Sequence, residues 1–371
     1  MTLKDNCCKI RMYENVLKFN ILSKENTMKK VVTFGELMLR LTPPDHEMFL
    51  QTPNFVATFG GAEANVGVAL AAYGDDVRFV SALPANDLGR AAKAELRRFN
   101  VDTSCIIDSD KRLGLYFTET GSVMRPSKVI YDRDNTAIAA VKPGDIDWDK
   151  ALDGADWFHV TGITPALSES LCETTLEAVK ACKAKGITVS CDLNYRKNLW
   201  KWGKQPIEVM PEIAKYVDVL IANEEDCQKC LGIEMETGVD SGKLNTDMYR
   251  ELAKIVMDTY PNIQAIAVSL RESISADHNN WSGVLAFRDG DFHISRQYKI
   301  TDIVDRIGGG DSFGGSLIYG FRHFADDRQK IIEYAIGASA IKHTCYGDFV
   351  RFRKEDVENL IKGSGNGRIQ R

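Results

Sequence analysis

The chain has 371 residues, and its 47 Lys and Arg residues against 52 Asp and Glu residues give a formal net charge of −5. With 44% hydrophobic and 27% charged residues, the composition is that of a globular protein and excludes collagen-like, low-complexity and intrinsically disordered chains. Basic residues are interspersed with acidic ones, and no apolar run reaches the length of about 20 residues that a membrane-spanning helix needs. We therefore expect neither a nucleic-acid partner nor a membrane partner.

The amino-terminal segment and the cysteines indicate the compartment. Residues 1–27 carry a charge every few positions and lack the uninterrupted apolar stretch of a secretory signal. We expect a cytoplasmic protein with its nine cysteines reduced. Residues 1–28 are predicted to be a flexible extension, since Met28 directly precedes the first strand pattern. Cys227 and Cys230 form the one C-x-x-C motif, and without zinc-site spacing elsewhere they are predicted to share a helix face.

The predicted elements alternate between strand and helix along the chain. Val31–Leu39 has a buried-strand pattern, and the small residues 62–73 predict a helix that ends at Gly74. Short Thr/Tyr/Val-rich runs between Gly114 and Tyr131 predict a small antiparallel excursion. This alternation predicts an α/β fold with a mostly parallel sheet. The remaining predicted elements are strands Val77–Ala82, Trp157–Val160, Thr188–Asp192, Val217–Ile221 and Ala265–Ser269, hairpin Gly283–Ser295, and helices Asp87–Phe99, Ser168–Lys185, Asp247–Tyr260, Asp311–Phe324, Gln329–His343 and Glu355–Lys362.

Three consecutive glycines open one of these helices. Gly308, Gly309 and Gly310 let backbone N–H groups converge on one point, where the helix dipole also favours an anion. Asp311 follows directly and is placed to accept a proton from a hydroxyl beside that site, as phosphoryl transfer to an alcohol requires. The structural alternative is that Asp311 only caps the helix and that the glycines only turn the chain.

The same segment also matches a hydrolase motif. Gly310 to Gly314 fits G-x-S-x-G with Ser312 as the nucleophile, and Asp327 and His343 follow in the order of a serine hydrolase. Three glycines separate the preceding strand-like segment from Ser312, whereas a nucleophile elbow follows its strand directly. A Walker loop is excluded because no Lys-Ser/Thr pair follows the glycines.

Four ordered motifs resemble the ribokinase-type (PfkB) sugar kinase family: GGAEAN at 60–65, DLNYR at 192–196, NEED at 223–226 and GGGDSFGG at 308–315. Together with Gly347-Asp348, they most resemble the branch that phosphorylates 2-keto-3-deoxygluconate. The resemblance implies a ribokinase-like three-layer α/β/α fold with a mostly parallel central sheet and a small antiparallel β lid. It implies a kinase domain over 29–362, with a lid from about 38–58 and 112–135 and a tail at 363–371.

The resemblance also implies the site residues. Asp311 would be the catalytic base, and Gly308 to Gly310 the anion hole. The implied sugar-acid residues are Gly61, Ala62, Glu63, Ala64, Asn65, Tyr116, Tyr131, Arg133, Arg196 and Asp311, with the two arginines offering planar forks to a carboxylate. The implied ATP residues are Asn194, Arg196, Ser269, Arg271, Gly308 and Gly310. Asn223, Glu224 and Asp226 would organise Mg²⁺ through water, and a monovalent cation is a further implied cofactor.

The chain departs from the family pattern in two segments. Asp226 stands where a Glu is frequent, and the residues from Arg271 to His278 replace a glycine-containing turn, so their nucleotide contacts stay open. Three other functions also stay open: a kinase of a neutral sugar such as fructose or ribose, a serine hydrolase, and a sugar-acid sensor without catalysis. A homo-oligomer, dimeric through its lids or larger, is expected because an open lid leaves one apolar face to cover.

Overall fold

The computed structural model describes residues 29–234 and 246–364. The predicted amino-terminal extension and most of the predicted carboxyl-terminal tail lie outside these ranges. The strands are β1 (Lys30–Phe34), β2 (Met38–Thr42), β3 (Val56–Gly60), β4 (Val77–Pro84), β5 (Val101–Asp102), β6 (Ile106–Ser109), β7 (Gly114–Glu119), β8 (Lys128–Asp132), β9 (Ala155–Thr161), β10 (Thr188–Asp192), β11 (Val219–Ile221), β12 (Ala265–Ser273), β13 (Asn279–Phe287), β14 (Phe292–Ile294) and β15 (Tyr298–Ile300). The helices are α1 (Ala62–Tyr73), α2 (Asp87–Arg98), α3 (Trp148–Ala151), α4 (Ile163–Ala166), α5 (Glu169–Ala184), α6 (Pro206–Ala214), α7 (Glu224–Leu231), α8 (Thr246–Thr259), α9 (Gly309–His323), α10 (Arg328–Lys342) and α11 (Lys354–Asn359), with 3₁₀ and π turns at Ile138–Ala140 and Leu360–Ser364.

The large sheet has the order β14-β13-β12-β11-β10-β9-β1-β4-β5, with β15 beside β13 and β6 beside β4. Its pairings from β12 to β5 are parallel, while β13 is antiparallel to β12, β14 and β15. Successive residues of β1 belong to different cores: Val31 packs with α1, α9 and α10, and Val32 packs with α5, α6 and α8. Helices therefore cover both faces of the sheet, which confirms the expected three layers.

A second, small sheet has the order β3-β2-β7-β8 and comes from the two segments expected to form a lid. Its outer pairings are antiparallel, and the central pairing of β2 with β7 is parallel. Every residue of β8 is exposed. The edge strand β8 is therefore open to solvent, whereas the central strands β2 and β7 carry buried residues.

The predicted single strand Val31–Leu39 is wrong, because the chain leaves the large sheet after Phe34 and enters the small one at Met38. Gly35 lies at this break, and its lack of a side chain leaves room for the carboxylate of Glu63, which a Cβ at that position would strike. Both halves are buried, so their apolar pattern does not distinguish one long strand from two short ones.

The other predicted elements each overlap an observed one. The hairpin starts earlier than expected, at Asn279, because residues 279–282 pair with the end of β12. Cys227 and Cys230 are buried on α7 and unpaired, and burial raises the pKa of both thiols. Across the described ranges, none of the helices combines the length and apolar character needed to cross a bilayer.

Candidate active site

A cavity of about 610 Å³ lies between the small sheet and the carboxyl ends of the parallel strands. Tyr116 and Tyr131 line it from the small sheet, and Asp192 lines it from the end of β10. Ser269 of β12 and the glycines at the start of α9 complete this part of the lining. Ligand sites in open α/β sheets lie at this edge, because the strands end there and the loops diverge. The cavity therefore gathers residues from both sheets.

Helix α9 begins without a side-chain cap. Gly308 is its N-cap, with φ of 80°, and a Cβ there would strike the carbonyl oxygen of Asp348. Gly310, in contrast, faces open space, with nothing within 4 Å of where its Cβ would lie. The first N–H groups of a helix have no intrahelical partner, and here they border the cavity. The open space beside Gly310 would admit a ligand, and the anion site itself stays a prediction.

Asp311 is half-buried on the cavity floor, one residue beyond the glycines. Asn65 donates from Nδ2 to its Oδ2 at 2.6 Å. Burial raises the pKa of Asp311 to about 7, with the charge of Asp348 adding to the shift while the bond from Asn65 opposes it. A carboxylate with this pKa exchanges a proton readily at neutral pH.

Two residues of the hydrogen-bond network around Asn65 and Asp311 were missing from the predicted site. Asp348 accepts hydrogen bonds from Tyr116 Oη at 2.6 Å, Arg40 Nη1 at 2.8 Å and Asn65 Nδ2 at 3.3 Å. Arg40, on β2, is 3% exposed and also pairs with Asp305 at 2.7 Å. The Gly347-Asp348 doublet was a signal for the first of these residues, but no local pattern marks Arg40.

The predicted carboxylate fork of Arg133 is already engaged. Its Nε and Nη2 donate to Oε2 of Glu36 at 2.7 and 2.6 Å, and both side chains are less than 9% exposed. Its guanidinium lies 5.5 Å from the ring of Tyr131, which stacks on Tyr116 at 5.8 Å between centroids. Glu36 is a further residue that the sequence did not reveal.

The residues at the start of α1 face two different environments, the cavity and the hydrophobic core. Gly61, Ala62, Glu63 and Asn65 line the cavity, whereas Ala64 is buried away from it in the core. Oε1 of Glu63 accepts from the Thr161 amide and hydroxyl and from the Thr164 hydroxyl, at 2.6–3.0 Å. Burial raises the pKa of Glu63, and these bonds tie α1 to the end of β9.

The residues predicted for ATP also lie in this cavity. Asn194, Arg196, Ser269 and Arg271 all line it, and both arginines are exposed. His343, which was not predicted for this role, lines it too and donates from Nδ1 to the carbonyl of Ser339 at 2.7 Å. Burial lowers the pKa of His343 to about 4, so its ring is neutral at physiological pH.

The predicted Mg²⁺ residues begin helix α7 as a capping box. Asn223 Oδ1 accepts from the Asp226 amide at 2.8 Å, and Asp226 accepts from the amides of Asn223 and Tyr195 at 3.1 and 2.9 Å. Glu224 accepts from the Tyr249 hydroxyl at 3.2 Å. These side chains therefore hold one another and the backbone before any cation binds.

The acidic end of the cavity nevertheless suits a divalent cation. Burial raises the pKa of Asp192 well above its usual range, and the charge of Asp226 adds to that shift. A hard cation would relieve this concentration of oxygen donors. Within the described ranges no group of three or more His, Cys, Asp or Glu residues is arranged to hold a metal ion, and the Mg²⁺ residues stay a prediction.

The residues of the serine hydrolase alternative are not brought together. Ser312 is 1% exposed within α9 and does not line the cavity. Asp327 instead caps α10 by accepting from the Lys330 amide at 3.0 Å. His343 uses its Nδ1 for a backbone carbonyl, so these three residues form no proton relay.

The site thus places a carboxylate of near-neutral pKa beside an uncapped helix N-terminus, beneath a small sheet. An anion held at that terminus would lie next to a hydroxyl from which Asp311 can take a proton. These are the requirements for a phosphotransferase acting on an alcohol, in which positioning and charge stabilisation supply most of the acceleration.

Comparison with known proteins agrees with this class and gives the family. The model for the pfkB family of carbohydrate kinases matches residues 28–350, and the chain belongs to that family. The protein is therefore a sugar kinase, and its family uses ATP and Mg²⁺.

Three relatives show how far the similarity extends. A 2-dehydro-3-deoxygluconokinase structure from Thermotoga maritima is 49% identical, with a TM-score of 0.84, covering 91% of this chain and 100% of that one. A 2-dehydro-3-deoxygalactonokinase of Haloferax volcanii is 32% identical over 91% of this chain and 98% of its own. A PfkB family carbohydrate kinase from Listeria grayi is 32% identical, with a TM-score of 0.82 and 90% and 100% coverage.

Proposed function

We propose that this kinase transfers the terminal phosphoryl group of ATP to the terminal hydroxyl of 2-keto-3-deoxygluconate, giving 2-keto-3-deoxy-6-phosphogluconate in sugar acid catabolism. The observation that carries the proposal is the position of Asp311 directly after the open glycine start of α9. The similarity to a 2-dehydro-3-deoxygluconokinase at 49% identity supports the choice of sugar acid. The galacto epimer is the second candidate, because the Haloferax relative is named for it.

In this mechanism Asp311 takes the proton of the attacking hydroxyl, and Gly308 to Gly310 hold the transferred phosphoryl group through their N–H groups. Asn65 keeps the carboxylate of Asp311 oriented through its 2.6 Å hydrogen bond. A Mg²⁺ ion at the acidic end of the cavity would supply charge neutralisation for the phosphates. Asn223, Glu224 and Asp226 would hold it through water, and Asn194, Ser269 and Arg271 would contact the rest of the nucleotide.

The sugar acid would lie between α1 and the small sheet, which we propose is the lid. Gly61, Ala62 and Asn65 would contact its hydroxyls, and Tyr116 and Tyr131 would close over it. Arg196 is exposed at the cavity and offers its guanidinium to the substrate carboxylate, whereas Arg133 must exchange Glu36 for it. Closing the lid excludes water, so ATP is not hydrolysed without sugar.

Three broader expectations join the proposal. We place the enzyme in the cytoplasm, where the seven unpaired cysteines of the described ranges would stay reduced. We propose a homo-oligomer in which the lid contributes its exposed apolar residues Val129 and Ile130, tested by light scattering at micromolar concentration. A monovalent cation stays a predicted activator, tested by titrating K⁺ against activity at constant ionic strength.

A coupled ADP-release assay with four substrates tests the function. Turnover with 2-keto-3-deoxygluconate or its galacto epimer, and little with fructose or ribose, is the expected result. Turnover with a neutral sugar alone would contradict the sugar-acid assignment. Ligand-induced stabilisation without any ADP would instead identify a sensor. Arg196 is predicted to contact both substrates, so Arg196→Ala should raise KM for the sugar acid more than KM for ATP if this guanidinium binds the substrate carboxylate.

A further inference from the structure

We infer that Asp305 and Arg306 link the lid to the polyphosphate site at both ends of the lid, so that the sugar acid and the nucleotide bind cooperatively. The inference rests on the proposed roles of the lid and of Gly308 to Gly310. The contacts that support it are made by the segment from Ser273 to His278, called here the hairpin tip, and by the loop that precedes α9.

The first step joins the lid to the hairpin tip. Val123 lies in the turn between β7 and β8, and its carbonyl accepts from the Ala276 amide at 2.8 Å. Its own amide donates to Asp277 Oδ2 at 3.2 Å. Val123 is 54% exposed and has a φ of 50°, a strained conformation for a β-branched residue. Strained backbone persists where neighbouring contacts hold it, and these two bonds are such contacts.

The second step joins the hairpin tip to the glycines. Arg306 donates from Nε to the Ala276 carbonyl at 2.6 Å and from Nη2 to the Ser275 carbonyl. The Ile303 amide donates to the Asp277 carbonyl at 3.0 Å. Because Arg306 stands two residues before Gly308, a shift of the hairpin tip is passed to the N-cap of α9.

The third step joins the same loop to the other end of the lid. Asp305 pairs with Arg40 of β2 at 2.7 Å and accepts from the Gly347 and Ile307 amides, each at 3.0 Å. Both partners of that ion pair are less than 9% exposed. Two adjacent residues of this loop therefore contact different parts of the lid. Asp305 contacts β2 directly, and Arg306 contacts the turn between β7 and β8 through the hairpin tip.

These contacts give the hairpin tip a role that its sequence did not suggest. It occupies the place of a glycine-containing turn in the family pattern, and in this chain it reaches across to the lid. A lid closed on sugar would fix the loop before α9, and a nucleotide at the glycines would fix the same loop from the other side. Each ligand then lowers the ordering cost of the other, which is positive coupling.

Titration calorimetry of a non-hydrolysable ATP analogue, with and without saturating 2-keto-3-deoxygluconate, tests the coupling. The wild type should bind the analogue about tenfold more tightly with the sugar acid present, a typical coupling. Asp277→Ala removes the acceptor for Val123 and should reduce this factor to below about twofold. Asp277→Asn keeps an acceptor oxygen and should retain most of it. Asp277 does not line the cavity, so affinity for the analogue alone should not change.

Kinetics and a control complete the test. Asp277→Ala should raise KM for ATP at saturating sugar with little change in kcat, while Asp110→Ala, at an exposed carboxylate, should behave as wild type. Equal coupling factors in the wild type and Asp277→Ala, or no coupling in the wild type, would overturn the inference. Failure of the proposed function looks different, because the wild type would then form no ADP from the sugar acid.

Discussion

Two helix N-termini border the same cavity and are built in opposite ways. Helix α7 begins with a capping box in which Asn223 and Asp226 satisfy each other's backbone amides. Helix α9 begins at Gly308 with no side-chain cap at all. Side chains thus accept from two amides at the start of α7. At the start of α9 no side chain of the described residues accepts from a backbone amide, although the Gly309 amide reaches the Arg306 carbonyl at 3.4 Å.

The difference shows two uses of a helix N-terminus: the start of α7 stabilises the fold, and the start of α9 is available to a ligand. A capped terminus is stable by itself, since each capping bond satisfies an amide that would otherwise need water or a ligand. An uncapped terminus of glycines has lower intrinsic stability but admits an anion close to the backbone. The four experiments below test this contrast, beginning with the largest expected effect.

Removing the carboxylate at the open terminus should have the largest effect. Asp311→Asn should lower kcat by about 10² to 10⁴, the usual contribution of a positioned base, while KM for both substrates changes only a few-fold. Steady-state kinetics measure both parameters. Asp110→Asn, at an exposed position, is the matched control, and an unchanged kcat in Asp311→Asn would contradict the assigned role.

The raised pKa of Asp311 predicts the pH dependence. The base must be deprotonated, so kcat/KM should fall as pH drops below about 7, by about tenfold for each further pH unit. Asp348→Asn removes a charge that raises this pKa and should move the acid limb to lower pH. An unmoved limb in that variant would assign the titration to the nucleotide instead.

Two glycines at the open terminus should respond differently to the same methyl group. Gly310→Ala places it in open space within the cavity, so the fold should persist while KM for ATP rises by about tenfold, equivalent to about 1.4 kcal/mol. Gly308→Ala should lower the free energy of unfolding by about 1–3 kcal/mol, because φ is 80° there. Thermal melts and kinetics on both variants separate binding from folding, and an unchanged KM in Gly310→Ala would contradict the anion site.

The capped terminus should show the smallest effect. Asn223→Ala removes one capping bond and should lower the free energy of unfolding by about 1 kcal/mol, with kcat reduced only a few-fold because Mg²⁺ retains water and phosphate ligands. Ser168→Ala, which uncaps the distant helix α5, should cost similar stability without affecting kcat. A loss of kcat comparable to that of Asp311→Asn would show that α7 is catalytic in the same sense as α9.

Local patterns were sufficient for most of the fold and for part of the site. The glycine stop at Gly74, the parallel strand and helix alternation and the open start of α9 depend on residues near one another in sequence. Arg40 and Asp348, by contrast, meet across 308 positions, and Arg133 meets Glu36 across 97. Such pairs are set by how the two sheets approach each other, which no local spacing encodes. Ala64 shows a different error: it was predicted as a substrate residue because it lies within a binding motif, but its side chain packs into the core while its motif neighbours line the cavity.

The buried pair of Glu36 and Arg133 sets the energetic cost of using Arg133 as a binding group. Because Oε2 of Glu36 accepts from both Nε and Nη2 of Arg133, a carboxylate that took over this guanidinium would have to displace Glu36 and would gain only the difference between two ion pairs. A ligand that also offers hydroxyl groups to α1 could offset that loss, whereas chloride or bicarbonate has no second set of contacts to add. At Arg133, Glu36 would therefore act as an intramolecular competitor against small inorganic ions.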